Sequence, residues 1–207
     1  MEYCEYLSPV SASFHVNEKE FKERKELKMK DIVNGKLVTM KDAPVTTLEE
    51  RVQRLEDIEA IKAIMYNYTR CTDNLDAEGI AAMFTETGTF CSPALGNPTG
   101  PKAIAELYAK LLPGTKSSTH VIGNQQIWFK TNDNAIMHCY LHAWQTFEEY
   151  PKKPDCFSYG RYEVEVVREA DGEWRVQNFK IVFAGQLGGG KACDHFARPW
   201  PPAPDQA

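Results

Sequence analysis

The chain predicts an α+β domain in which helices come first and a curved, largely antiparallel sheet follows. An apolar series at helical period, Leu48, Val52, Leu55, Ile58, Ile61, Met65 and Tyr68, runs for about six turns. A second short helix and a third one bounded by Gly100-Pro101 and Pro113-Gly114 come after it. From residue 120 the pattern changes to long stretches of strand character separated by turn clusters. Helices on one side and a curved sheet on the other make a cone with an open apolar mouth, an arrangement suited to a small-molecule pocket.

Residues 1–46 read as an N-terminal extension. A short apolar stretch around Phe14 and Val16 precedes a charged helical run to about Lys30. In that run Lys and Arg alternate with Glu, as on a solvated face. Asn34-Gly35 between Ile32-Val33 and Leu37-Val38 predicts a small hairpin. The domain proper occupies residues 47–186. Thr47 with Glu50 three residues later forms a capping box that starts the first helix. Asp76 is the N-cap of the second helix, and Thr85–Cys91 turns into a short strand. Thr131-Asn132-Asp133-Asn134 and Glu169–Glu173 separate four long strands, the second through an Asp-Gly turn. In Arg161–Val167 charged and apolar residues alternate, so one sheet face is polar and the other faces a core. Residues 187–207 form a Gly- and Pro-rich tail.

Bulk properties remove several function classes. At 207 residues, with a net charge of −5, the chain lacks the basic excess of a nucleic-acid binder. No stretch approaches the length of a membrane span, and the first residues do not read as a signal peptide. Six cysteines without a Cys-x-x-Cys pair read as reduced thiols of a cytoplasmic protein. No His-x-x-x-His, facial triad or thiolate cluster points to a metal, and no organic cofactor is expected. Ser117-Ser118 near His120 lacks the Gly-x-Ser-x-Gly elbow of a hydrolase.

The chemistry-bearing residues are Tyr68, Asp73 and His120. Five residues separate Tyr68 from Asp73 at the end of the long helix, about one and a half turns, and His120 opens a strand run. Phenol, carboxylate and imidazole in one cavity are the parts of proton-transfer chemistry. Taken singly, Tyr68 reads as a core aromatic, Asp73 as a helix-end turn residue and His120 as a surface strand start. For His142 the hairpin arithmetic matters. A two-residue turn at Asn132-Asp133 pairs position i with 265 − i, which sets His120 opposite Gln145 and His142 on the other sheet face. A single bulge reverses that parity.

Ile58–Tyr68, then Asp73 and Asp76, Ile80–Thr85, Gly100, Ser118-Thr119-His120 and the Asp171–Val176 turn and strand together resemble the NTF2-like superfamily, in its SnoaL-like branch. The resemblance covers about residues 48–185. It implies three N-terminal helices packed on a strongly curved mixed or antiparallel sheet. Among cofactor-free dehydratases resembling scytalone dehydratase and bile-acid 7α-dehydratases, it implies an Asp–His pair at Asp73 and His120 with a tyrosine at Tyr68. His142 falls near a position where such proteins carry a further polar active-site residue. The implied activity is a lyase removing water from a polycyclic, steroid-like or polyketide-like ketone. Double-bond isomerisation, or a non-catalytic ligand-binding or assembly subunit, are the alternatives. Trp128, Trp144, Tyr140 and Tyr108 are expected to line the cone and contact an apolar substrate. Self-association is expected too, as a trimer before a dimer.

Overall fold

The computed structural model describes residues 30–33, 36–39, 42–92, 95–149, 152 and 155–188. The charged run to Lys30 and the tail beyond Gly188 lie outside these residues. The predicted hairpin is present as β1 (Lys30–Val33) and β2 (Lys36–Thr39), paired antiparallel with Val33 opposite Lys36.

Helix α1 (Leu48–Asp73) starts at the predicted capping box. The Thr47 hydroxyl accepts from the Glu50 N–H, and the Glu50 carboxylate accepts from the Thr47 N–H. Asp76 caps the single-turn α2 (Ala77–Ala81), its carboxylate accepting from the Gly79 N–H. Strand β3 (Phe84–Cys91) then separates α2 from α3 (Pro101–Leu111), which begins with Pro101 at its first position. Four long strands follow: β4 (Thr115–Thr131), β5 (Asn134–Phe147), β6 (Cys156–Arg168) and β7 (Trp174–Gly188). They form one mixed five-stranded sheet in the order β3-β7-β6-β5-β4. All its pairs are antiparallel except β3 with β7.

Alternation along β5 and β6 defines the two sheet faces. Ala135, Met137, Cys139, Leu141 and Ala143 of β5, with Tyr162, Val164 and Val166 of β6, are buried against the helices. Arg161, Glu163 and Glu165 lie on the other face, as the charge alternation predicts. There, Glu163 pairs with both Arg161 and Lys180.

The register of β4 on β5 departs from a simple hairpin. Thr131 pairs with Asn134 as expected, but one-residue shifts between Phe129 and Thr131 and between Gly123 and Gln126 slide the rest of β4. The second shift contains Asn124 in the left-handed region, φ 51°. As a result His120 faces Ala143, two residues from the expected Gln145. Two odd shifts make an even one, so the parity survives and His142 pairs with Val121 on the outer face.

The first half of α1 does not bury its apolar series. Leu48, Val52 and Leu55 are exposed, whereas Ile61, Ile64, Met65 and Tyr68 are in the core. What fastens the helix between these halves is ionic. Asp57 is buried; it accepts from the Trp174 indole N–H at 3.2 Å and pairs with the Arg168 guanidinium at 2.6 Å. Arg54 stacks 3.9 Å over the Phe129 ring and donates to the Ala43 carbonyl and the Asn132 side chain. Helical periodicity identifies a stripe; it does not say what covers each end of it.

Removing the Asp57 carboxylate leaves Arg168 and the Trp174 N–H without their shared acceptor. Asp57→Ala is predicted to cost about 3–5 kcal/mol in urea unfolding, as breaking a buried pair does. An Asp57→Leu/Arg168→Met double variant is predicted to recover part of that loss.

On the outer face, His138 is buried edge-on to Trp128, ring centroids 5.0 Å apart. Burial pushes its imidazole below its ordinary value; the Glu163 charge opposes this, and Arg161 and Lys180 add to it. The unfolded chain therefore takes up this proton near pH 6.5, while the folded chain resists it to lower pH. Thermal stability is predicted to decline as pH falls below about 6.5 toward the lowered folded value, and His138→Gln to flatten that slope.

Candidate functional site

Asp73 is the last residue of α1, and Asn74 caps the helix. A carboxylate there meets the negative pole of the helix dipole, so its charge must be met by donors from elsewhere. Strand β4 supplies all three. The Ser118 hydroxyl donates to Asp73 Oδ1 at 2.7 Å, and the His120 N–H donates to Oδ2 at 3.0 Å. His120 Nδ1 lies 2.6 Å from Oδ1. With Asp73 ionised, Nδ1 carries the proton and Nε2 is left with a lone pair. The His120 side chain is 7 % exposed and that of Asp73 is 26 % exposed, so the pair is sheltered without being sealed.

Beside the pair lies a buried set of phenols. The Tyr68 hydroxyl is 2.9 Å from that of Tyr108 on α3, and the Tyr68 ring meets Tyr162 edge-on with centroids 5.5 Å apart. Phe179 of β7 packs on Tyr68 at 4.6 Å, and Phe90 of β3 packs on Tyr108 at 5.4 Å. Burial raises the pKa of Tyr68, and raises those of Tyr108 and Tyr162 further. The nearby Asp73 charge adds to the rise at Tyr68 and Tyr162. All three therefore stay protonated near neutral pH, as hydrogen-bond donors and not as bases.

Asp73 and His120 thus meet as expected. Tyr68 is on the same side of the sheet, but its hydroxyl is engaged with Tyr108. His142 does not join them. It is exposed on the outer face, its ring 5.9 Å from that of Phe157, because the paired register shifts preserve the parity that sends it there. Three of the four expected substrate-contacting aromatics are also corrected. Trp144 is 49 % and Tyr140 42 % exposed on that outer face, and Trp128 packs there against Ile136 and His138. Only Tyr108 lies inside. The inner row that crosses the sheet from His120 runs through Ala143, Ser158 and Gln186, so the wall beside the imidazole is small and polar.

Sequence reasoning missed Ser118 as an Asp73 donor and Tyr162 as the third phenol. Both were accessible from alternation. Ser118 and His120 are two apart in a strand and share a face, and Tyr162 has the parity of Val164 and Val166. Ser118 donates to the carboxylate and not to the imidazole, which is not the geometry of a serine nucleophile. Among the described residues, no group of three or more His, Cys, Asp and Glu could hold a metal ion.

The SnoaL-like domain family matches residues 53–180. Among solved structures, a candidate scytalone dehydratase from Novosphingobium aromaticivorans is similar at 21% identity, over 72% of this chain and 99% of its own, with a TM-score of 0.64. A type 2 hexachlorocyclohexane dehydrochlorinase (LinA) matches at 19% identity over 72% of this chain and 98% of its own, TM-score 0.62. A candidate aromatic ring hydroxylase from N. aromaticivorans matches at 23% identity over 65% of this chain and 94% of its own, TM-score 0.58. At these identities the likeness is one of fold.

Proposed function

Because the chain belongs to the SnoaL-like domain family, whose match spans residues 53–180, we propose that it is a cofactor-independent lyase that eliminates water from an apolar ketone. The observation that carries this reading is the hydrogen-bonded Asp73–His120 pair. Nε2 of His120 takes a proton from the carbon next to the substrate carbonyl, and the C–H electrons pass into an enolate. Asp73, fixed on Nδ1, stabilises the imidazolium that forms. As the enolate reforms the carbonyl, the double bond closes and the neighbouring C–OH bond breaks. The imidazolium returns its proton to the departing hydroxyl, which leaves as water. Tyr68 and Tyr108 share one hydrogen bond between two hydroxyls, and that phenol pair is the donor set for the enolate oxygen.

Names of similar structures support elimination as the reaction type: one is a candidate dehydratase and another a dehydrochlorinase. Isomerisation would use the same base and phenols. The aromatic residues placed outside make the substrate-contacting wall narrower in chemistry than the sequence implied, with Ala143 and Ser158 next to His120 where flat aromatic surface was expected.

In a screen of hydroxyketones read by mass spectrometry for loss of one water, His120→Ala is predicted to slow turnover by about a hundredfold or more. Asp73→Asn is predicted to act in the same direction. Full turnover by a folded His120→Ala protein would end the proposal.

Self-association is the second part of this reading. Val121, Trp144, Tyr140 and Leu187 stand 61 %, 49 %, 42 % and 65 % exposed on one sheet face. The cross-strand rows Thr119-Trp144-Phe157-Leu187 and Val121-His142-Tyr159-Gly185 contain no Asp, Glu, Lys or Arg. These uncharged rows, at one end of a face whose other rows carry Arg161, Glu163 and Glu165, suit contact between copies of a chain with net charge −5. Sedimentation is expected to show an oligomer that Trp144→Glu dissociates; a monomeric unaltered chain would contradict this.

A further inference from the structure

We propose that Ser118 is a positioning residue for the Asp73–His120 pair, a role that rests on the pair being the catalytic base. Its hydroxyl donates to Oδ1, the same oxygen that receives His120 Nδ1. The other contact between Asp73 and β4 is a single bond, from the His120 N–H to Oδ2. With that bond alone, the carboxylate and imidazole can pivot together about Oδ2, since the ring is the only group holding Oδ1. Ser118 removes this freedom. It ties Oδ1 to the β4 backbone two residues from His120, and alternation keeps both side chains on one sheet face.

The same bond shapes the chemistry. Oδ1 sits 2.6 Å from Nδ1, so any turn of the carboxylate moves the ring with it. A second donor on that oxygen, at 2.7 Å, leaves Oδ1 held from two directions by groups of one strand. The ring is thus kept with Nδ1 on the carboxylate and Nε2 turned away from it, the orientation that the base requires. The hydrogen bond of the Ser118 hydroxyl goes to the carboxylate and not to the imidazole, so it acts through Asp73. This assigns a function to the serine beside His120 that does not involve nucleophilic attack.

The full chain with Ser118→Ala and Ser118→Thr, beside Asp73→Asn, tests the role by proton NMR of the His120 Nδ1–H and by turnover. The unaltered protein is expected to show a downfield, slowly exchanging Nδ1–H resonance that Asp73→Asn abolishes. Ser118→Ala is expected to exchange it faster, and to lower kcat about tenfold with KM nearly unchanged. Ser118→Thr, which retains the hydroxyl, is expected to restore both. A Ser118→Ala protein with unaltered exchange and kcat would overturn the positioning role while Asp73→Asn still disabled the enzyme. An Asp73→Asn protein with unaltered resonance and turnover would instead remove the base reading, and the role of Ser118 with it.

Discussion

A carboxylate at the wrong end of a helix organises this molecule. Asp73 closes α1 where the helix dipole disfavours negative charge, and three donors from β4 offset that cost. The helix end and the sheet edge are thereby fixed to one another. At the other end of the buried segment Asp57 does the same with Arg168 and Trp174. Between these two carboxylates lie Ile61, Ile64, Met65 and Tyr68, the part of α1 that is in the core. Outside that span Leu48, Val52 and Leu55 are exposed. Two ionic clamps therefore decide which part of a continuous apolar stripe is packed.

One of those clamps is also the proposed chemical centre. The bonds that satisfy Asp73 structurally also fix the His120 ring, so stability and the proposed reactivity draw on the same contacts. The phenols beside it are kept neutral by burial, which limits them to donating. A single base next to several donors is a division of labour suited to forming and quenching an enolate.

Much of this was legible in the sequence, and the failures are instructive. The capping box at Thr47, the Asp76 cap, the pairing of Lys30–Val33 with Lys36–Thr39 and the alternation in Arg161–Val167 rest on local rules, and each is present. Asp73 and His120 came from spacing shared with a family, and the geometry joins them. The aromatic residues of β4 and β5 were misassigned for a physical reason. Trp144, Tyr140 and Trp128 were read by residue type as wall material, but strand parity places them outside; Trp144 and Tyr140 tolerate half-exposed sites there, and Trp128 is covered by Ile136 and His138. The parallel pairing of β3 with β7 left no local trace, because its partners are far apart in the chain. The exposed start of α1 was illegible for a similar reason, since what replaces its burial is a long-range ion pair.

Of the three register shifts in β4, the two between the turn and His120 carry a lesson about length. Each is odd, and together they leave His120 facing inward. Losing one residue from Gly123–Gln126 would turn the imidazole to solvent and bring Val121 to the helix side, even with every side chain unchanged. Losing both would restore the facing and merely slide His120 along β5. Chain length in this strand is thus read in steps of two, and the site is as sensitive to counting as to chemistry.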